Sequence, residues 1–162
     1  MPEGKNHSRR RFLGGLLATA GAGSLSGLAH AEGFGMGMRG PSQNRVVYQL
    51  NQSDPDYIKE ILHSAAVVLQ HYNNDVDIVI DCFGPGIWLL VRKEKNRHQY
   101  EPFIHEQVSS LSMYGVVFNA CLQTIKTVRL ERTDLVHVAR PVVSGALDLI
   151  ELQKKGYAYI SW

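Results

Sequence analysis

The sequence lacks the short motifs by which nucleotide, redox and metal sites are usually recognised. It has no Walker pattern of Gly, four residues, Gly, Lys and Ser or Thr, which disfavours a phosphate-binding loop. Its only two cysteines, Cys82 and Cys121, do not form a Cys-x-x-Cys pair, which disfavours a thiol–disulfide oxidoreductase. The histidines never adopt His-x-x-x-His spacing, so we predict no bound metal and no cofactor.

The chain also has little net charge outside its first segment. Its 162 residues carry a formal net charge of +2, but residues 1–31 hold four basic residues and a single acidic one. The rest of the chain is therefore close to neutral, with a net charge of −1. Such a body lacks the basic surface that binding to a phosphate backbone needs, so we predict no nucleic-acid partner. The length is that of one domain.

Residues 1–31 resemble a bacterial twin-arginine (Tat) export signal. Arg9 and Arg10 precede an apolar stretch from Phe12 to Leu28, and Ala29-His30-Ala31 then forms a small-residue cleavage site. The alternative is an uncleaved membrane anchor, although this stretch is glycine-rich and shorter than the ~20 strongly apolar residues of a spanning helix. The signal predicts a periplasmic protein that is exported folded by the Tat pathway and has no membrane partner after cleavage.

Strands and helices alternate in the rest of the chain, behind a flexible Gly- and Met-rich linker predicted for residues 32–44. Short apolar runs predict five strands, at Val46–Leu50, Val76–Ile80, Val116–Phe118, Val136–Val138 and Tyr157–Trp162. Capping patterns and apolar periodicity predict helices that begin at Asp54-Pro55 and at Ser144, and others at Ile87–Val91, Pro102–Met113 and Gln123–Val128. The alternation predicts a single three-layer α/β/α domain over residues 45–162, built around a five-stranded, mainly parallel sheet.

Polar and reactive residues follow the predicted strands, where a parallel sheet binds its ligands. They are Asn51 to Ser53, Asp81 and Cys82 before Gly84-Pro85-Gly86, Asn119 to Cys121, and Arg140-Pro141. Cys121 precedes a predicted helix start, where free amides and the helix dipole favour a thiolate, so it is either a nucleophile or a small buried apolar residue. A structural disulfide between Cys82 and Cys121 is a further alternative in an oxidising compartment.

Residues 45–162 resemble the DsrE/DsrF-like, TusD-related sulfur-relay family. The resemblance lies in Val46 to Leu50, Asp54-Pro55, Gly84-Pro85-Gly86-Ile87, Gly115-Val116-Val117-Phe118-x-x-Cys121 and Leu152 to Ile160. It implies that Cys121 carries sulfane sulfur as a persulfide, and that the protein is a homo-oligomer, either a trimer or a hexamer. The sequence departs from many relatives at Gln123, where they have Asn, and at Cys82-Phe83, where they have a His before the Gly-Pro-Gly turn.

The hypothesis that follows is a periplasmic sulfur-trafficking protein, which is a sulfurtransferase-like carrier if it has enzymatic activity. Its partner is a sulfur donor or acceptor protein. The catalytic candidates are Cys121 as the acceptor and Cys82 as a resolving or partner thiol. The candidates for binding the donor are Asn51, Gly84, Gly86, Gln123 and Thr124. Among them, the amides near Gly84 to Gly86 and Gln123 are expected to hold a polysulfide or thiosulfonate end. The alternative is a non-catalytic periplasmic binding or assembly module in which the cysteines are structural.

The resemblance also implies a strand order in which the second strand lies between the first and the third. Neighbouring strands lie ~4.8 Å apart, which is compatible with the Cα separation of ~4.4–6.8 Å in a disulfide. We therefore expect the sulfurs of Cys82 and Cys121 to face each other in one cleft, as a reducible pair or sharing a sulfur atom.

Overall fold

The computed structural model describes residues 40–162. The predicted export signal (residues 1–31) and residues 32–39 of the predicted linker lie outside the described residues. The end of that linker contacts the domain, because the Ser42 hydroxyl donates a hydrogen bond to the Asp75 carbonyl oxygen (2.9 Å) and the Ser42 N–H donates to Asp77 Oδ2 (3.2 Å). None of the helices within residues 40–162 has the length and apolar character needed to cross a membrane.

Five strands and four α-helices alternate along the described chain. The strands are β1 (Arg45–Leu50), β2 (Asp77–Cys82), β3 (Val117–Cys121), β4 (Ala139–Val142) and β5 (Ala158–Ile160). The helices are α1 (Pro55–His71), α2 (Pro102–Met113), α3 (Leu122–Thr127) and α4 (Gly145–Lys154), and two 3₁₀ segments lie at Gly84–Leu90 and Arg132–Asp134. This architecture confirms the predicted single α/β domain.

The strands form one sheet in the order β4-β3-β2-β1-β5, and every pair of neighbours is parallel. Strand β2 therefore lies between β1 and β3, as the family resemblance implied. In register, Leu50 of β1 lies opposite Cys82 of β2, and Cys82 lies opposite Ala120 of β3. This order brings the carboxyl ends of β1, β2 and β3 together at one edge of the sheet.

The two faces of the sheet are covered unequally. One face packs against α1, α2 and the 3₁₀ segment Gly84–Leu90 and forms the main core. The opposite face, which we call the α4 face, packs its smaller apolar cluster against Leu149 and Leu152 of α4. Because strand side chains alternate between faces, odd-numbered and even-numbered residues of a strand contact different layers.

Local chemistry explains why the first helix begins where it was predicted. The carboxylate of Asp54 accepts hydrogen bonds from the N–H groups of Asp56 (3.0 Å) and Tyr57 (2.9 Å), and Pro55 occupies the first helical position. An N-cap of this kind contributes about 1 kcal/mol. The buried residues of α1 then recur at helical spacing and pack on the sheet: Tyr57, Ile58, Ile61, Leu62, Ala65 and Leu69.

Several predicted boundaries are wrong. Strand β4 is Ala139–Val142 and not Val136–Val138, because it is an edge strand whose exposed side chains give no apolar signal. The segment predicted as a helix from Ile87 is a buried 3₁₀ segment. Strands β2 and β3 also run on to Cys82 and Cys121, so the polar residues expected after these strands are part of them.

Candidate functional site

Cys121 lies where β3 turns directly into α3. It is the last residue of the strand and also the N-cap of the helix, and its sulfur accepts a hydrogen bond from the Thr124 N–H (3.5 Å). An N-cap side chain normally offers an oxygen to these free amides, and here a sulfur takes that place. Cys121 is 4% exposed, so its thiol lies just beneath the surface at the carboxyl edge of the sheet.

The surroundings of Cys121 favour its thiolate. Burial raises the pKa of the Cys121 thiol, but hydrogen bonds from the Thr124 side chain and from the backbone N–H groups of Gly145, Thr124 and Gln123 outweigh it and leave the pKa below its ordinary value. Donors of this kind stabilise the charged form of a thiol selectively. Two predicted site residues, Gln123 and Thr124, therefore act on Cys121 directly.

Thr124 also connects Cys121 to the Gly-Pro-Gly turn. Its Oγ1 accepts a hydrogen bond from the Gly84 N–H (3.0 Å), which leaves the hydroxyl proton for the Cys121 sulfur. Gly84 has a φ of +51°, a left-handed conformation that favours glycine. Gly86 has no room for a side chain, because a Cβ there would lie 2.1 Å from the Leu50 carbonyl oxygen.

We expect from the sequence that the amides of that turn hold an anion, but in the structure they are not free to do so. The Gly84 N–H donates to Thr124, and the Gly86 N–H donates to the Phe83 carbonyl oxygen (3.0 Å). Both donors are used to build the turn itself. The expected anion cradle is therefore wrong for these two amides, and their role is to hold the turn against Thr124.

Cys82 does not face Cys121. It is fully buried in the main core, beside its register partner Ala120, whereas Cys121 follows Ala120 in β3 and so points to the α4 face. Both cysteines are free thiols. Burial, followed by the charge of Asp81, raises the pKa of Cys82 well above its ordinary value. The expected facing sulfurs in one cleft are therefore wrong, because the pleat of the strands separates side chains on neighbouring strand ends.

An acidic cluster lies on the same side of the sheet as Cys121. Asp81 of β2 and Asn119 of β3 are in register and buried, and Asn119 Nδ2 donates a hydrogen bond to Asp148 Oδ2 of α4 (2.5 Å). Burial, and then the charge of Asp148, raises the pKa of Asp81 to about 8. Among the described residues, both Asp81 oxygens and Asn119 Oδ1 have no hydrogen-bond partner.

A surface cavity of about 390 Å³ adjoins the Cys121 cap. Gly84, Gln123 and Thr124 line it together with aromatic side chains, Trp88 and His98. The ring of His98 stacks on that of Tyr100, with their centroids 5.6 Å apart. Neither Asn51 nor Gly86 lines this cavity. Asn51 Oδ1 instead accepts a hydrogen bond from the Tyr57 hydroxyl (3.1 Å), which fixes the end of β1.

The structure adds residues that the sequence analysis missed. Gly145 and Asp148 of α4 reach Cys121 and Asn119, although they lie far from both in sequence. From the sequence, Asp81 was named only among the polar residues expected to follow the second strand. One sequence signal does connect Asn119 with Cys121. The two residues are two positions apart, and in a strand this spacing places them on the same face. Within residues 40–162, no group of three His, Cys, Asp or Glu side chains is placed to hold a metal ion.

Comparison with known proteins assigns the family. Residues 45–162 match the sequence model of the DsrE/DsrF-like family. Two similar solved structures are MTH1491 of Methanobacterium thermoautotrophicum, a protein of unknown function (23% identity, TM-score 0.66), and the ychN protein of E. coli (12% identity, TM-score 0.60). Each alignment covers 74% of this chain and 100% of the other, and the likeness is one of fold. No curated protein sequence matches the chain. Because the family match spans most of its length, the chain belongs to the DsrE/DsrF-like family.

Proposed function

We propose that this protein is a periplasmic sulfur-trafficking protein in which Cys121 carries sulfane sulfur as a persulfide. The DsrE/DsrF-like family is generally related to sulfur relay, and the observation that carries the proposal is the set of donors around the Cys121 sulfur. A thiolate is the form of cysteine that attacks sulfur, and a lowered pKa increases the fraction of Cys121 that is in this form at a given pH.

The loading step transfers one sulfur atom and leaves the overall oxidation state unchanged. The Cys121 thiolate attacks the terminal sulfur of a donor persulfide, R–S–SH, and a new S–S bond forms at Cys121. The donor's S–S bond breaks, its electron pair leaves with R–S⁻, and the transferred sulfur keeps its proton. An acceptor thiolate then repeats the same exchange on the Cys121 persulfide.

The donors that lower the pKa of Cys121 also suit this product. A persulfide extends the side chain by one sulfur atom, and the N–H groups of Gln123 and Thr124 lie where they can hold a negatively charged sulfur. Among residues 40–162, no N–H group donates to the Cys82 sulfur, which is buried in the core and has its own contact of 3.9 Å to the Ile80 carbonyl oxygen. The proposal therefore assigns the chemistry to Cys121 alone, and the resolving role first predicted for Cys82 is not part of it.

Intact-mass spectrometry after exposure to polysulfide tests the proposal. Wild-type protein and the Cys82→Ser variant should each gain the mass of one sulfur atom, and a reductant should remove it. The Cys121→Ser variant should gain none. An adduct that depends on Cys82, or no adduct on any of the three proteins, contradicts the proposal.

A specific observation favours a second candidate, the non-catalytic assembly module. Val143 before α4 and Leu147 and Ile150 on its outer side are 67%, 58% and 48% exposed, a concentration of apolar side chains on one element. We propose that this surface joins copies of the chain into the expected trimer or hexamer. Light scattering should report a larger mass for the wild type than for Leu147→Glu. If assembly occurs and the mass experiment finds no sulfur adduct, the assembly module is the better account.

The compartment is a separate part of the proposal and is supported by the sequence pattern alone. Arg9 and Arg10 match the paired arginines of a Tat signal. Replacing both with lysine keeps the charge and should leave the protein in the cytoplasm, as measured by cell fractionation. Continued accumulation in the periplasm would indicate the general secretory pathway instead.

A further inference from the structure

A row of polar side chains crosses the α4 face of the sheet near its carboxyl edge. Gln49 of β1, Asp81 of β2 and Asn119 of β3 lie side by side in register. Asp148 reaches this row from the first turn of α4 and accepts a hydrogen bond from Asn119. The proposed chemistry at Cys121 uses none of these four side chains, and a buried carboxyl such as Asp81 is costly to keep without a role.

The groups around Asp81 supply no cation to balance its charge. In the described part of the chain, it faces the carboxylate of Asp148 from α4 and the amides of Gln49 and Asn119 from its neighbouring strands. The Tyr159 hydroxyl of β5 donates to Gln49 Oε1, and the exposed Arg140 of β4 lies opposite Asn119, two strands away from Asp81.

Two carboxyl groups so placed do not ionise together. The buried one, Asp81, keeps its proton at neutral pH, because burial and then the charge of Asp148 raise its pKa to about 8. A protonated Asp81 is a hydrogen-bond donor beside Asn119 Oδ1, an acceptor with no partner among the described residues.

The same cluster fixes the part of α4 that reaches Cys121. Asp148 lies in the first turn of α4, and Gly145, at the start of that turn, provides one of the N–H donors to the Cys121 sulfur. Two contacts hold this turn against the sheet. One is the Asn119–Asp148 hydrogen bond, and the other is the close packing of Gly145 on Phe83, where an added Cβ would lie 2.6 Å from the ring.

We propose that Asp81 is a positioning residue for the Cys121 thiolate, and that it acts through Asp148 and the first turn of α4. As the neutral acid, Asp81 allows Asp148 to lie against Asn119, which keeps the Gly145 N–H on the sulfur. When Asp81 ionises, repulsion displaces Asp148 together with the turn, and the thiolate loses a donor. This inference rests on the proposed function, because it takes Cys121 to be the reacting group.

The test is the pH profile of alkylation of Cys121 by iodoacetamide, measured in a Cys82→Ser background so that a single thiol reacts. In this parent, ionisation of Asp81 opposes ionisation of Cys121, so the rate should rise over a wider pH range than a one-proton titration. Asp81→Asn should restore a one-proton curve and react about threefold faster or more than the parent at pH ~8. Asp56→Asn, a change in an exposed carboxylate on α1, should leave the parent profile unchanged.

Asp148→Asn separates the route through α4 from a direct effect of the Asp81 charge. If the effect runs through Asp148, this variant also gives a one-proton curve. If it keeps the broad profile, Asp81 acts through space, and the positioning role is wrong. It is also wrong if the Asp81→Asn profile matches the parent. Alkylation requires only a reactive thiol, so these outcomes stand whether or not Cys121 takes up sulfur in the mass experiment.

Discussion

Replacing Asp81 with asparagine should stabilise the protein at neutral pH. The carboxyl group is fully buried, and burial together with Asp148 raises its pKa to about 8, whereas in the unfolded chain it ionises near pH ~3.9. Between these two values the folded state holds a proton that the unfolded state has lost. The unfolding free energy therefore falls as pH rises through this window. Asparagine is nearly the same size and does not titrate.

The size of the effect follows from the width of the window. Each pH unit within it costs ~1.4 kcal/mol, so Asp81 destabilises the fold by up to ~4 kcal/mol between pH ~4 and pH ~7. The value is an upper limit, because the partly exposed Asp148 can move away from Asp81. Even half of it is a large fraction of the ~5–15 kcal/mol that stabilises an ordinary domain.

Urea unfolding at a series of pH values measures the difference directly. The free-energy gap between Asp81→Asn and wild type should be near zero at pH ~4 and should widen steadily to pH ~8. Titrating groups that do not interact with Asp81 are common to both proteins and cancel in the difference. Asp56→Asn, on the exposed surface of α1, is the matched control, and its difference in unfolding free energy from wild type should not change with pH. Parallel stability curves for wild type and Asp81→Asn would refute the reasoning.

Two further substitutions test the Cys121 cap and the Gly-Pro-Gly turn. Thr124→Val removes the hydroxyl donor and should raise the pKa of Cys121, which slows its alkylation about tenfold near neutral pH, whereas Thr124→Ser should retain the wild-type rate. Gly86→Ala places a Cβ 2.1 Å from the Leu50 carbonyl oxygen and should cost about 3 kcal/mol or more in urea unfolding. Gly40→Ala, where an added Cβ would have nothing within 4 Å in the described part of the chain, should change stability little. Equal midpoints for the two alanine variants, or equal alkylation rates for the two Thr124 variants, would contradict these expectations.

Sequence reasoning succeeded where local chemistry decides the structure. The start of α1 depends on Asp54 and Pro55, which act within one helical turn, and α2 begins at Pro102 for the same kind of reason. Most of the cap of Cys121 is equally local, because Gln123 and Thr124 lie two and three residues after it. Such contacts form between residues that are close in sequence, so predicting them requires no knowledge of how distant segments pack.

Strand ends were misplaced where a polar residue is buried. Polar side chains usually mark the end of an apolar run, so the sequence predicts that Asp81 and Asn119 follow their strands. Both are instead inside the sheet, where each pairs in register and meets Asp148 of α4. A single sequence does not show that contact, because it depends on the packing of a helix that begins some twenty-five residues after Asn119.

The two cysteines show how a correct topology can still give a wrong site. The strand order was right, and Cys82 and Cys121 do lie at the ends of neighbouring strands. The error came from treating both as loop residues, whose side chains are free to converge. Once both belong to their strands, the register that places Cys82 opposite Ala120 sends Cys121 to the other face. A shift of one residue in that register would reverse the outcome, and register is set by the packing of the whole sheet.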